Sequence, residues 1–95
     1  MKIKSKKLRD SARGQDCTLR LTGICNFNPE TTVLCHVGAN SGFGTKSGDN
    51  MAVFGCSKCH SEIDTKPKDF YAADIIRALG ETQQVWIDTG LMVVK

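Results

Sequence analysis

Aromatic side chains make up only 6% of this chain, so a hydrophobic core can form but will be thin. No apolar run approaches the ~20 residues of a membrane-spanning helix, and no membrane association is expected. The lysine-containing segment 1–13 is followed by no hydrophobic stretch, which argues against a secretory leader. Internal repeats and low-complexity tracts are absent as well, removing repeat architectures from consideration. Ninety-five residues are enough for one domain and too few for two. Histidine occurs only twice, at His36 and His60, so any imidazole chemistry must use those positions.

Cysteine, by contrast, is abundant, with five in 95 residues. Without a leader the chain is expected in a reducing compartment such as the cytoplasm. An odd number of thiols that includes a C-x-x-C pair there favours metal ligation over disulfides. Zn²⁺ takes four tetrahedral N or S ligands, and Cys56 with Cys59 supplies two on one tight turn. Cys17 and Cys25 are spaced more widely than a usual knuckle, and a hairpin between them would close the set. The expected structural zinc ligands are therefore Cys17, Cys25, Cys56 and Cys59, with Cys35 or His60 as the competing fourth ligand. A redox role for the C-x-x-C pair would call for a thioredoxin-like βαβ pattern, which is missing.

Net charge is +3, unevenly spread. Residues 1–13 hold Lys2, Lys4, Lys6, Lys7, Arg9 and Arg13 against the single acid Asp10. The rest of the chain is mildly acidic. This divides the sequence into a basic arm, 1–13, suited to phosphate, and a single zinc-containing domain, 14–95. A solvated basic terminus without a partner is the plainer reading.

Along the chain, residues 1–6 read as frayed and Leu8–Ala12 as a turn of helix. The alternation in CTLRLTGIC suggests a strand or hairpin over Cys17–Cys25. Asn26–Thr31 is turn chemistry, and Thr32–Val37 is a β-branched strand delivering Cys35 and His36 at its end. Gly38–Asn50 is a glycine-rich loop, of a length more often functional than idle. Met51–Phe54 is a second strand, and Ser57–Asp64 begins a helix with the cysteine pair in its first turn. Asp69–Leu79 reads as an amphipathic helix capped by Gly80, Glu81–Ile87 as another, and Leu91–Val94 as a closing strand. The expected class is α+β.

The order of a strand histidine, a polar loop, Asn50 and a helix bearing His60 resembles the HNH, or His-Me finger, nucleases, whose unit is ββα-metal. The segment DNMAVFGCSKCH reads much like their zinc-containing members. Through RDSARGQDC, GICNFNPETTVLCHV, GFGTKSGDN and CSKCHSEID, residues 9–95 are similar to the prophage-encoded YbcO nuclease family. The resemblance implies a metal-dependent endonuclease acting on nucleic acid, in particular DNA, in a phage or prophage setting. His36 would be the general base, Asn50 would orient it or brace the loop, and His60 would ligate a catalytic Mg²⁺, Mn²⁺ or Zn²⁺. Lys4, Lys6, Lys7, Arg9, Lys46 and Lys58 would contact phosphates, with the four-cysteine zinc serving as scaffold. Many HNH enzymes carry an Asp ligand where this chain has Cys35, a soft ligand poorly matched to Mg²⁺, which leaves Glu62 or Asp64 to complete the site. That departure also admits a second reading, a zinc-stabilised nucleic-acid-binding module of phage origin without catalysis.

Overall fold

The computed structural model describes residues 3–38, 48–67 and 69–94. It is a small α+β fold, in the order α1 (Lys6–Ser11), a 3-10 turn (Pro29–Thr31), β1 (Val33–His36), β2 (Ala52–Gly55), α2 (Ser57–Asp64) and α3 (Ala72–Asp88). No helix among the described residues is long and apolar enough to cross a membrane.

The two strands form an antiparallel ribbon with Val33 opposite Gly55, Leu34 opposite Phe54, Cys35 opposite Val53 and His36 opposite Ala52. Side chains alternate across a strand, so the two faces of this ribbon enter different clusters. Cys35 and Val53 join Cys17, Leu19, Leu21, Cys56, Cys59 and Ala78 on one side. Phe54, with Leu34 packed beside it, joins Leu8, Ala12 and Trp86 on the other. All four residues of β2 are buried, as expected of a strand covered on both faces.

A two-stranded ribbon leaves its outer edge unpaired, and here two buried threonines seal it. The Phe54 N–H donates to Thr82 Oγ1 at 3.2 Å, and the Phe54 carbonyl accepts from both the N–H (2.8 Å) and the hydroxyl (2.9 Å) of Thr18. The Thr18 proton being committed, the Thr82 hydroxyl donates to Thr18 Oγ1 across 3.1 Å. This hydroxyl pair does the work of a third strand.

Four expectations differ from the structure. Residues 5 and 6 do not fray: Ser5 caps α1, its side chain accepting the Leu8 N–H at 3.2 Å, and Leu8 and Ala12 are buried. Cys17–Cys25 forms no strand; it is a loop with a left-handed residue at Arg20 (φ 42°) and a turn at Gly23 (φ 76°). The two separate helices expected around Gly80 are one, because Ala78, Thr82 and Trp86, four apart, bury a single stripe that runs through the glycine. The closing strand is absent, since the Leu91 and Met92 N–H groups both turn back to the Trp86 carbonyl (2.8 and 3.0 Å) after Gly90 at φ +81°. The strands at 33–36 and 52–55 and the helix at Ser57–Asp64 lie where the sequence places them. Residues 39–47 of the glycine-rich loop, including Lys46, lie outside the described residues.

Candidate metal centre

The sulfur atoms of Cys17, Cys25, Cys56 and Cys59 all lie within 4.8 Å of one another. Tetrahedral Zn–S bonds of about 2.3 Å require S···S edges of about 3.8 Å. The Cys25 to Cys56 edge is 3.8 Å. These four cysteines could hold a metal ion such as zinc.

Local backbone geometry explains how two widely spaced cysteines enter the cluster. Arg20, three residues after Cys17, donates its N–H to Cys17 Sγ at 3.5 Å, and Phe27, two after Cys25, donates to Cys25 Sγ at 3.4 Å. Arg20 and Phe27 are the two non-glycine residues among those described with positive φ, 42° and 54°. Left-handed backbone is costly for such residues, and both spend it aiming an N–H at a sulfur. Arg20 is further fixed by a bidentate pair with Glu81 on α3 (2.7 and 2.8 Å), while Arg77 donates to the Thr18 and Leu19 carbonyls at 3.0 and 2.5 Å. The second loop is tied to the start of α2 by Asn26 Nδ2 to Ser57 Oγ (3.2 Å) and by the Ser57 N–H to Thr31 Oγ1 (3.2 Å).

Cys56 is the N-cap of α2, its sulfur accepting the Cys59 N–H at 3.4 Å. Burial opposes ionisation there, but N–H groups of Cys59 and Asn26 and the neighbouring Cys59 and Cys25 thiols outweigh it and bring Cys56 down to about 7. At Cys25 and Cys59 burial pushes the thiols up, reinforced by the adjacent sulfurs. Negative charge on sulfurs packed this closely is mutually repulsive, and a divalent cation held among them would offset it.

Cys35 stands outside this set. It is fully buried on the ribbon, and its thiol is pushed up by burial and then by the charge of Asp64. Gly55 opposite makes room for it: a Cβ at Gly55 would lie 2.6 Å from Cys35 Sγ and 3.1 Å from Leu19 Cδ1.

His36 lies on the other face of the ribbon, half-buried, with Nε2 2.8 Å from Asp49 Oδ1. Asp49 Oδ2 accepts from the Ser5 N–H at 2.6 Å and Arg9 Nη1 at 2.8 Å. Burial works against the Asp49 carboxylate, but His36, Ser5 and Arg9 more than offset it, holding the group below its ordinary value. Asp49 escaped sequence reasoning, which singled out its neighbour Asn50; a buried acid in a Gly-Asp-Asn turn looks like turn chemistry. The Asn50 carbonyl accepts from Gln83 Nε2 at 3.4 Å, joining the loop to α3.

His60 is held by a different acid, its Nε2 lying 3.3 Å from Asp64 Oδ2 one turn along α2. Glu62 is engaged elsewhere, accepting from the Tyr71 hydroxyl at 2.5 Å and pairing with Lys66 at 3.7 Å. Of the candidate phosphate contacts, Lys4, Lys7 and Lys58 are exposed, whereas Lys6 pairs with Asp10 at 2.8 Å and Arg9 with Asp49. The structure thus gathers the four zinc candidates into one cage and gives His36 and His60 separate carboxylate partners.

Comparison with known proteins assigns the chain to a family. A profile described as "Putative nuclease YbcO" matches residues 6–90. The chain is 40% identical over 91 residues to "Putative nuclease YbcO" of Escherichia coli (strain K12), spanning 90% of this chain and 95% of that protein. It is equally similar to "Putative nuclease ybcO" of Enterobacteria phage 82, with the same identity and coverage. Among solved structures, a "putative bacteriophage protein from Escherichia coli str. K-12 substr. MG1655" superposes with a TM-score of 0.70 at 33% identity, covering 88% of this chain and all of that one. A cysteine cage, a two-stranded ribbon and these matches along almost the whole length make this chain a member of the YbcO family.

Proposed function

We propose that this protein is a metal-dependent endonuclease of the HNH, ββα-metal kind, hydrolysing phosphodiester bonds of DNA in a bacterial cell that carries phage genes. The observation that carries the reading is the succession of β1, β2 and α2, with His36 ending the first strand, His60 in the helix, and a four-cysteine cage joining the helix start to the preceding loops. The relatives named as nucleases, one of them from a phage, support the activity and the setting.

In this reading zinc is structural. His36 removes a proton from the attacking water. His60 would hold a divalent cation with Asp64, the acid at 3.3 Å, rather than with Glu62, which Tyr71 and Lys66 already occupy. When bound, such a cation would supply charge neutralisation at the phosphate and at the departing 3′ oxygen, and hydrolysis would leave a 5′ phosphate. Cys35, protonated and buried, does not serve as the hard ligand that an Asp would provide. Asn50 braces the loop between ribbon and α3 through its backbone carbonyl, which accepts from Gln83. Lys4, Lys7 and Lys58 contact phosphates, with Lys6 contributing as Asp10 gives way to phosphate and Arg9 through the exposed part of its guanidinium while Nη1 stays on Asp49.

Purified protein incubated with plasmid and branched DNA and Mg²⁺, Mn²⁺ or Zn²⁺ should nick the DNA, and His36→Ala should not. Equal nicking by the two proteins removes His36 from the mechanism. The burial of Cys35 at the position of the expected acidic ligand favours a second reading, a zinc-ordered DNA-binding module. Salt-sensitive binding with no product under any metal would select it.

A further inference from the structure

Resting on the hydrolytic reading above, we propose that Asp49 is the positioning residue for His36, holding the imidazole as the tautomer protonated on Nε2 so that Nδ1 carries the lone pair that takes a proton.

The side chain of Asp49 is only 7% exposed, and its two oxygens have different tasks. Oδ1 lies 2.8 Å from His36 Nε2, while Oδ2 collects the Ser5 N–H and Arg9 Nη1. A carboxylate that accepts from a backbone N–H and a guanidinium stays ionised and can only accept. A neutral imidazole facing it must therefore donate from Nε2, which withdraws that nitrogen from base chemistry and leaves the task to Nδ1.

The carboxylate is itself clamped from the N-terminal side. The Asp49 N–H donates to the Ile3 carbonyl at 2.8 Å, so residues 3–5 run beside 48–49. Gly48 permits this approach, since a Cβ there would lie 2.7 Å from Ile3 N. The clamp is anchored in turn by α1, whose Leu8 and Ala12 are buried against Phe54 and Trp86. The N-terminal helix is thus the outer layer of a relay, α1 to Asp49 to His36, in addition to carrying basic side chains. The rival account makes Asp49 only a staple between α1 and the loop, with His36 a bystander.

Tautomers are read directly from long-range ¹H–¹⁵N correlations of the imidazole. The zinc-loaded full chain, ¹⁵N-labelled and recorded where the rings are neutral, has two histidines to assign, and His60→Gln resolves them. His36 should show the Nε2-protonated pattern. Arg9→Met, which keeps the carboxylate, should retain that pattern, and Asp49→Asn should lose the single tautomer. An Nδ1-protonated ring in the wild type overturns the proposal without any variant having to fold. An unchanged pattern in folded Asp49→Asn overturns it equally. In plasmid nicking, Asp49→Asn should lower kcat by about 10²- to 10⁴-fold with KM little changed, and should add nothing in a His36→Ala background. An undiminished Asp49→Asn effect in that background contradicts the positioning role. Should the wild type cut no DNA with any divalent metal, the hydrolytic reading fails by itself, while the tautomer still decides whether Asp49 holds the ring.

Discussion

Removing zinc from the cysteine cage should melt the whole protein, including the cluster around Trp86 that contains no cysteine. Residues 12–32 hold no strand and no helix beyond the 3-10 turn Pro29–Thr31, so this segment depends on the cage together with buried Leu19 and Leu21 and the hydrogen bonds of Thr18 and Arg20. The second cluster offers only Leu8, Phe54 and Trp86 as large buried side chains, worth roughly 5–9 kcal/mol together at about 1.5–3 each. Ordering the backbone costs about 1–2 kcal/mol per residue, so that cluster cannot hold the fold alone. Structural zinc in cysteine sites contributes an apparent 10–16 kcal/mol or so, comparable to the whole stability of a small domain at about 5–15 kcal/mol. The assay is a titration of the reduced protein with a chromophoric chelator, following metal release beside the fluorescence of Trp86, the sole tryptophan. Expected are one zinc per chain, a red shift of Trp86 emission in step with release, and loss of helical circular dichroism. Cys25→Ser should behave as the chelated protein. Cys35→Ser should keep its zinc and lose only about 1–3 kcal/mol, the cost of a buried hydroxyl in place of a thiol. A metal-free chain with native Trp86 emission and a cooperative melt would refute the reasoning.

Gly55→Ala should destabilise by about 1–3 kcal/mol, because its Cβ meets Cys35 Sγ at 2.6 Å, and Cys35→Ala should rescue it; thermal melts of the double mutant check both. Ser11→Ala should cost about 1–3 kcal/mol, since Trp86 Nε1 donates to Ser11 Oγ at 2.8 Å from a fully buried ring; urea titration reads the change. The folded-state value of Asp49 is depressed, so its stabilisation is complete above the unfolded aspartate value of about 3.9 and disappears as pH falls through the lower folded one. Wild type should therefore lose stability more steeply than Asp49→Asn below about pH 4, and parallel acid profiles would contradict the carboxylate's role.

The elements that the sequence discloses are those whose signals are local. Ser57–Asp64 is a helix that starts at the C-x-x-C turn, and β1 lies within the β-branched, apolar run Thr32–Val37. Misreadings arose where distant partners decide. Gly80 looks like a helix end, but its penalty of about 1 kcal/mol is small beside burial of Thr82 and Trp86 on the same stripe. The alternation in Cys17–Cys25 suggests a strand, yet its N–H groups are recruited by sulfur and by the Phe54 carbonyl. In the site, the cysteine set was legible from the C-x-x-C pair and the expected reducing compartment. Asp49 was not, because its partners Ser5 and Arg9 lie 44 and 40 positions away along the chain.

The left-handed backbone at Arg20 and Phe27 bears on how this protein would exchange its ion. Each loop is sprung, held in an uncomfortable shape by an amide pointed at sulfur, and lacks the comfort of glycine at that place. An emptied cage would relax and scatter its ligands instead of waiting preformed. Loading and release then become events of making and unmaking the protein, so a cell short of zinc would lose these molecules to proteolysis rather than store them idle.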